Sequence, residues 1–180
     1  MFHKLKSNLV VKDYTPLEET ISYGEHIDGK FMGISYNFVK LAESDSLYSL
    51  VPKEYRHNFY TQVMKINTPV PPHTDSGIGF TINCYLQTDN CLTQFYKLNT
   101  DTPQTTKMVM QTTGRMYREE DLVKTKSFVA EPNEFWILDV SKPHSIIPLG
   151  EFKERIAITL SSMKYNYDDV CNMLYETGNL

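Results

Sequence analysis

The chain has 180 residues, 41% of them hydrophobic and 12% aromatic, and a formal net charge of −4 at pH 7. This length suits one domain that spans residues 1–180 and buries a core without metal or disulfide staples. The negative charge disfavours nucleic acid or an anionic membrane surface as the main partner, and no apolar run reaches the roughly 18 residues of a membrane span. Three cysteines without a CxxC motif, and an N-terminus without a signal-like apolar stretch, predict a reducing, cytoplasmic setting.

The first 60 residues have a mixed pattern. Residues 29–39, GKFMGISYNFV, alternate well enough to predict a strand. Residues 40–59 have helical spacing at Leu41, Leu47 and Leu50, and Pro52 can begin a second short helix. We therefore expect N-terminal helices ahead of the main β region.

From residue 59 onward the sequence predicts short strands. Segments rich in β-branched and aromatic residues are separated by Pro, Gly, Asn or Asp, namely FYTQVMKINT, GFTINCYLQT, LTQFYKL, TKMVMQT, KSFVAEP, EFWILDV, SIIPLG and RIAITLSSM. Seven or eight strands at this spacing indicate a sandwich or barrel. The last segment predicts a C-terminal helix that is capped at Asn166 and ends at Gly178. Its apolar face comprises Val170, Met173 and Leu174.

A histidine and an aspartate lie two residues apart just before an apolar strand, in the stretch VPPHTDSGIGFTINCYL. Residues i and i+2 of an extended chain point to the same side, so His73 and Asp75 can approach one ion together. The preceding Pro71 and Pro72 favour an extended chain. Alternatively, Asp75 is a turn residue that caps a backbone amide. A further histidine, His144, follows an apolar strand 71 positions later.

The strand after His144 carries polar residues on one face. Arg155 and Thr159 share that face of RIAITLS, whereas the opposite face is apolar. A polar face of this kind either meets water, which is common for an antiparallel strand, or belongs to a site.

Two histidines and a carboxylate on a β scaffold, with coordination positions left open, are typical of non-haem Fe(II) oxygenases. Three protein ligands leave room for a bidentate cosubstrate and O₂. An arginine eleven residues beyond the second histidine can bind the far carboxylate of that cosubstrate through paired, charge-assisted hydrogen bonds.

The order of these residues resembles the Fe(II)- and 2-oxoglutarate-dependent oxygenase superfamily, in particular its prolyl-4-hydroxylase-like branch. The similar stretches are HTD, NCYLQT, TQFY, WILDVSKPH and RIAITLS, within a core of about residues 59–163. The resemblance implies a double-stranded β-helix, a jelly-roll or cupin-like fold. It also implies a set of site residues: the metal ligands His73, Asp75 and His144, and the cosubstrate-binding residues Arg155, Thr159, Tyr85 and Asn83. One departure is that Met64 and Val63 stand where the branch usually has a tyrosine.

The activity that the resemblance implies is hydroxylation of a C–H bond in an amino-acid or peptidyl substrate, with a prolyl residue as one candidate, and with release of succinate and CO₂. Its cofactors are Fe²⁺, the cosubstrate 2-oxoglutarate and O₂. Two alternatives stay open: a cupin-type metalloenzyme that does not use 2-oxoglutarate, and a non-catalytic jelly-roll binding or assembly module with a vestigial site. We also expect the polar segment 99–126 to lie near the barrel mouth, unless it is a hairpin elsewhere on the surface.

Overall fold

The structure, a computed structural model, describes residues 1–11, 13–41, 47–107 and 114–180. The strands are β1 (Phe2–Lys4), β2 (Tyr14–Ile27), β3 (Lys30–Leu41), β4 (Tyr60–Ile66), β5 (Val70–Thr74), β6 (Thr81–Gln87), β7 (Cys91–Leu98), β8 (Thr105–Lys107), β9 (Arg115–Tyr117), β10 (Leu122–Val129), β11 (Phe135–Leu138), β12 (His144–Pro148) and β13 (Arg155–Ser161). The helices are α1 (Tyr167–Glu176) and short 3₁₀ helices at Leu47–Leu50, Lys53–Asn58 and Glu119–Asp121.

The strands form two antiparallel sheets in jelly-roll order. The first sheet has the order β1-β11-β6-β13-β4-β3-β2, and the second has the order β10-β7-β12-β5-β9-β8. Along the chain, β4 to β7 alternate between the sheets and so do β10 to β13, which gives each sheet four strands of a double-stranded β-helix. The predicted fold class, mainly β with this topology, is confirmed.

Strand β13 lies between β6 and β4 in the centre of the first sheet, and both of its faces are buried. Ile158 and Leu160 have no exposed surface and belong to the apolar core that the first sheet forms with α1. The opposite face carries Arg155 and Thr159, which are 1% and 3% exposed and face the interior of the jelly roll. The polar face of this strand therefore does not meet bulk water.

The N-terminal region contains more strand than the sequence predicted. The hairpin of β2 and β3 extends the first sheet beyond β4, and its turn places Asp28 and Gly29 at φ of 51° and 75°. Asp-Gly suits such a turn because both central residues need positive φ. The helices expected over residues 40–59 are the two short 3₁₀ helices from Leu47 to Asn58, with Pro52 at the cap of the second. Residues 42–46 lie outside the described residues.

The C-terminal helix has the predicted caps and buried face. The Asn166 side chain accepts from the Asp169 amide, and the Asp169 side chain accepts from the Asn166 amide, which is a capping box. Val170 and Leu174 are fully buried against the first sheet. In the described ranges, no helix combines the length and hydropathy needed to cross a membrane.

The segment 99–126 adds strands to the edge of the second sheet. Strand β9 pairs with β5, and Met116 is the partner of His73 in that register. Strand β8 pairs with β9 in turn, and residues 108–113 between them lie outside the described residues. The segment thus supports the strand that carries the first histidine.

Candidate metal centre

Two histidines lie opposite each other on neighbouring strands. His73 on β5 and His144 at the start of β12 are register partners, and their ring centroids are 4.3 Å apart. Both side chains are at least nine-tenths buried. The 71 residues that separate them in sequence are bridged by one antiparallel strand pair.

Each ring is oriented by a carbonyl two residues earlier in the chain. The His73 Nδ1 lies 2.9 Å from the Pro71 carbonyl oxygen, and the His144 Nδ1 lies 3.0 Å from the Lys142 carbonyl oxygen. Because a carbonyl can only accept, Nδ1 carries the proton and donates in both rings. In the neutral imidazole the lone pair is then on Nε2, which is the form that binds a metal.

The Asp75 carboxylate lies beside the Nε2 atom of each ring. Its Oδ1 lies 3.3 Å from the His73 Nε2 and 3.7 Å from the His144 Nε2. One ligand atom from each of the three residues lies within 4.8 Å of the others. The Asp75 amide donates to the Val140 carbonyl at 3.0 Å, which fixes the chain just beyond β5. The structure thus brings the three predicted ligands together as a possible metal site.

The charges in this cluster favour a cation. Burial lowers the pKa of His144 to about 4, so its imidazole is neutral near pH 7. Burial also opposes the charge on His73, but the hydrogen bond and charge of Asp75 outweigh burial and raise its pKa, so a metal ion would have to displace the proton on the His73 Nε2. Burial likewise opposes ionisation of Asp75, but the hydrogen bond from His73 and the charges of both histidines outweigh it and lower the carboxyl pKa. An ionised carboxylate between two imidazoles suits a divalent metal ion.

The cluster opens into a cavity of about 440 Å³ between the two sheets. His73, Asp75 and His144 line it from the second sheet, and the polar face of β13 lines it from the first. None of the described residues of segment 99–126 lines this cavity, so the position of that segment at a substrate entrance stays a prediction.

Arg155 is a buried cation without an anionic partner. Its Nη2 donates to the Thr93 Oγ1 at 2.9 Å, whereas Nε and Nη1 have no hydrogen-bond partner in the described parts of the chain. Its guanidinium carbon lies 4.5 Å from the centre of the Tyr85 ring. Within the described ranges, no carboxylate lies within 4.0 Å of this guanidinium. An unpaired charge at 1% exposure is costly, so the position favours a bound anion.

The other predicted cosubstrate residues also line the cavity, where a chain of hydrogen bonds orders them. The Ser161 hydroxyl donates to the Thr81 Oγ1 at 3.3 Å, and the Thr81 hydroxyl donates to the Asn83 Oδ1 at 2.9 Å. The Asn83 amide donates to the Tyr85 hydroxyl at 3.1 Å. Thr159 donates to a backbone carbonyl at 3.3 Å, which leaves its oxygen free to accept from a further donor.

Sequence reasoning missed two further features of the cavity. Thr93 is the only hydrogen-bond partner of Arg155 among the described side chains, yet it lies 62 residues away on the opposite sheet. Tyr36 on β3 is the register partner of Met64, so a tyrosine from the neighbouring strand lines the cavity beside Met64. Burial, and then the charge of Asp75, raise the pKa of Tyr36 well above its ordinary value. Only the alternation of GKFMGISYNFV could have indicated that Tyr36 faces inward.

Comparisons with known proteins give no family for this chain. No family model matches it, and no curated protein matches it. Among solved structures, it is similar to the 7S globulin of Momordica charantia (TM-score 0.43, 11% identity, 85% of this chain and 34% of that chain). It is also similar to E. coli ycfD (TM-score 0.41, 9% identity, 88% of this chain and 40% of that chain). A third similar structure is Fe(II) HppE (TM-score 0.33, 12% identity, 88% of this chain and 64% of that chain).

The chain spans between about a third and two thirds of the length of these proteins. The fold assignment rests on the strand order of the chain itself. That order and the converging side chains define a jelly-roll protein with a candidate His-Asp-His metal centre.

Proposed function

We propose that the protein is an Fe(II)- and 2-oxoglutarate-dependent dioxygenase that hydroxylates a C–H bond of an amino-acid or peptidyl substrate. The observation that carries this proposal is the Arg155 guanidinium, buried and without a counter-charge in the same cavity as the three candidate ligands. A metal site alone fits many activities. A metal site beside an unpaired buried cation fits a ligand that has both a metal-binding end and an anionic end.

The residues present fit ferrous iron. Two imidazole Nε2 atoms in their unprotonated form and one ionised carboxylate are suitable ligands, and three protein ligands leave coordination positions for small molecules. His73, Asp75 and His144 would hold the ion. The carbonyls of Pro71 and Lys142 would keep both rings in the binding tautomer.

The residues present also fit 2-oxoglutarate, a dicarboxylate with a 2-oxo acid at one end. Its 2-oxo acid end can bind a metal, and its far carboxylate can accept from the Arg155 Nη1, which lacks a partner, and from the second hydrogen of Nη2, whose first is donated to Thr93. Thr159 lies on the same face of β13, and Tyr85 packs under the guanidinium. When bound, iron would activate O₂ with 2-oxoglutarate as the second reductant: one oxygen atom would enter succinate as CO₂ leaves, and the other would enter the substrate C–H bond. The chain binds and orients both and limits the access of water.

The two alternatives explain less of the cavity. A metalloenzyme that does not use 2-oxoglutarate, or a binding module with a vestigial site, gives no reason for a buried arginine with two free donors. Replacing such a charge by an apolar residue of similar volume is often neutral or stabilising. An arginine without a function at this position would therefore lower the stability of the protein.

Succinate formation tests the proposal. The protein incubated in air with Fe²⁺ and 2-oxoglutarate should release succinate slowly without substrate, and His144→Ala should abolish this release. His57→Ala is the matched control, because His57 is exposed and lies outside the cavity. Release that is equal in wild-type protein and His144→Ala, or that needs no iron, contradicts the proposal.

A further inference from the structure

Four aromatic side chains form one wall of the cavity. Tyr23 on β2, Tyr36 and Phe38 on β3, and Tyr60 on β4 all line it and are half-buried. Tyr23 and Tyr36 meet edge to face at 6.3 Å between centroids, and Phe38 and Tyr60 meet at 5.9 Å with a tilt of 58°. We call these four residues the aromatic wall.

The hairpin outside the eight jelly-roll strands supplies most of this wall. Tyr36 and Phe38 are two residues apart on β3 and therefore share a face, and Tyr23 follows on the paired strand β2. None of these four side chains is fully buried, although Tyr36 packs against the apolar core beside the cavity. A contiguous set of open aromatic surface beside a candidate metal centre indicates a binding surface.

The cavity has few charges beyond those that the proposed function already uses. Of the described residues that line it, the acidic and basic ones are His73, Asp75, His144 and Arg155. In the proposed function the first three hold iron and Arg155 holds 2-oxoglutarate. Within the described parts of the chain, the rest of the lining therefore offers no charged partner to a third molecule, and in particular none to an ammonium and a carboxylate together.

We infer that the substrate presents an uncharged, ring-bearing residue of a peptide to the aromatic wall, and that a free amino acid is not the substrate. This inference rests on the proposed function and decides between the two substrate forms that it left open. A free amino acid would bring two charges into a cavity whose described lining has no charged partner left for them, which is unfavourable. Amide bonds on both sides remove those charges, and a ring can pack against the faces and edges of the four aromatic side chains.

Equilibrium dialysis tests the inference on protein loaded with Fe²⁺ and 2-oxoglutarate under oxygen-free conditions, where no turnover occurs. The probes are the N-acetyl amides of proline, phenylalanine, tyrosine and tryptophan, each compared with its free amino acid. At least one capped probe should bind at least about tenfold more tightly than its free form, because each unpaired charge carries a free-energy cost. Equal or tighter binding of the free amino acids, or no binding of any capped probe at millimolar concentration, overturns the inference.

Variants locate the binding. Tyr36→Ala and Tyr60→Ala should each weaken the best capped probe about tenfold, whereas Tyr36→Phe should retain its affinity because the ring remains. Tyr175→Ala is the control, since Tyr175 is 64% exposed on α1. Circular dichroism identifies a variant that fails to fold, and Tyr36→Phe keeps the test valid in that case. Unchanged affinity in both alanine variants overturns the assignment of the wall.

Titration of 2-oxoglutarate into the same iron-loaded protein separates the two ideas. If 2-oxoglutarate does not bind, the proposed function fails, and the probes are then compared without it. Loss of capped-probe affinity in Tyr36→Ala would still support the aromatic wall. If 2-oxoglutarate binds but the free amino acids are preferred, only the substrate inference fails.

Discussion

Replacement of Arg155 by alanine should remove 2-oxoglutarate binding while leaving iron affinity nearly intact. The guanidinium makes one side-chain hydrogen bond, to Thr93, which leaves Nη1 and the second hydrogen of Nη2 for a carboxylate. Removing one partner of a buried, hydrogen-bonded charge pair costs about 2–5 kcal/mol, or roughly a 30-fold to several-thousand-fold loss of affinity. Iron affinity should change little because Arg155 is not one of the three converging ligands.

Graded variants test the geometry as well as the charge. Arg155→Lys should do less harm than Arg155→Ala but should still lose the forked pairing. Thr159→Ala removes at most one hydrogen bond to a charged group, which the hydroxyl can make only if it turns from the Gln62 carbonyl to the carboxylate. Such a bond is worth about 1.5–3 kcal/mol. Arg118→Ala is the matched control, because the Arg118 side chain is 60% exposed and pairs with Glu120 away from the cavity.

Arg155→Met separates lost binding from lost folding. In the ligand-free protein it replaces a buried, unpaired charge by an apolar chain of similar length. Its free energy of unfolding should therefore be equal to or higher than that of the wild type. Denaturant unfolding measures this stability, and calorimetric titration of 2-oxoglutarate into oxygen-free, iron-loaded protein measures binding. An unchanged dissociation constant for Arg155→Ala, in a variant that folds, refutes the reasoning.

Three further predictions concern the metal ligands and the residues that position Arg155. Asp75→Ala should weaken Fe²⁺ binding by more than about a hundredfold, since even groups that only support a ligand contribute 10- to 100-fold. Asp101→Ala is the control and should leave Fe²⁺ affinity unchanged, because Asp101 is exposed. Equal Fe²⁺ affinities in the two variants would contradict the assignment. Thr93→Val removes the acceptor of the Arg155 Nη2 and should weaken 2-oxoglutarate binding about tenfold in the same titration. An unaltered dissociation constant would show that Thr93 does not contribute to 2-oxoglutarate binding. Asp89 accepts from the amides of residues 153 and 154 at 3.0 and 2.7 Å, so Asp89→Ala should weaken 2-oxoglutarate binding and lower the free energy of unfolding by about 1–2 kcal/mol. The hydrogen bonds from the amides of residues 154 and 153 outweigh desolvation and lower the pKa of Asp89. The difference in free energy of unfolding between wild type and Asp89→Ala should therefore be present at neutral pH and be lost as the pH falls below about 4. A difference that persists at still lower pH would argue against this explanation.

The sequence predicted the jelly roll because the central strands are short, β-branched and separated by turn residues. It did not predict β2, because Pro16, Gly24 and several acidic residues interrupt the pattern over residues 14–27. An edge strand tolerates such residues, since one side of its backbone makes no ladder hydrogen bonds. The strand pairing that makes it an edge strand is a tertiary property.

The candidate ligands could be predicted because the spacing of His73 and Asp75 is local and His144 follows in the order of a known superfamily. Thr93 and the aromatic wall could not, because their positions depend on the register between strands far apart in the chain. Alternation indicates which residues of a strand share a face, but not which distant face lies opposite. Cavity residues that interact across the two sheets therefore emerge only from the fold.

An oxygen-free crystal structure of the protein with Fe²⁺ and 2-oxoglutarate tests the central claim most directly. We expect an iron ion at bonding distance from His73, Asp75 and His144, identified by its anomalous scattering. We also expect the far carboxylate of 2-oxoglutarate to accept hydrogen bonds from the Arg155 guanidinium. Iron bound elsewhere, or 2-oxoglutarate absent from the Arg155 guanidinium at saturating concentration, would contradict the account.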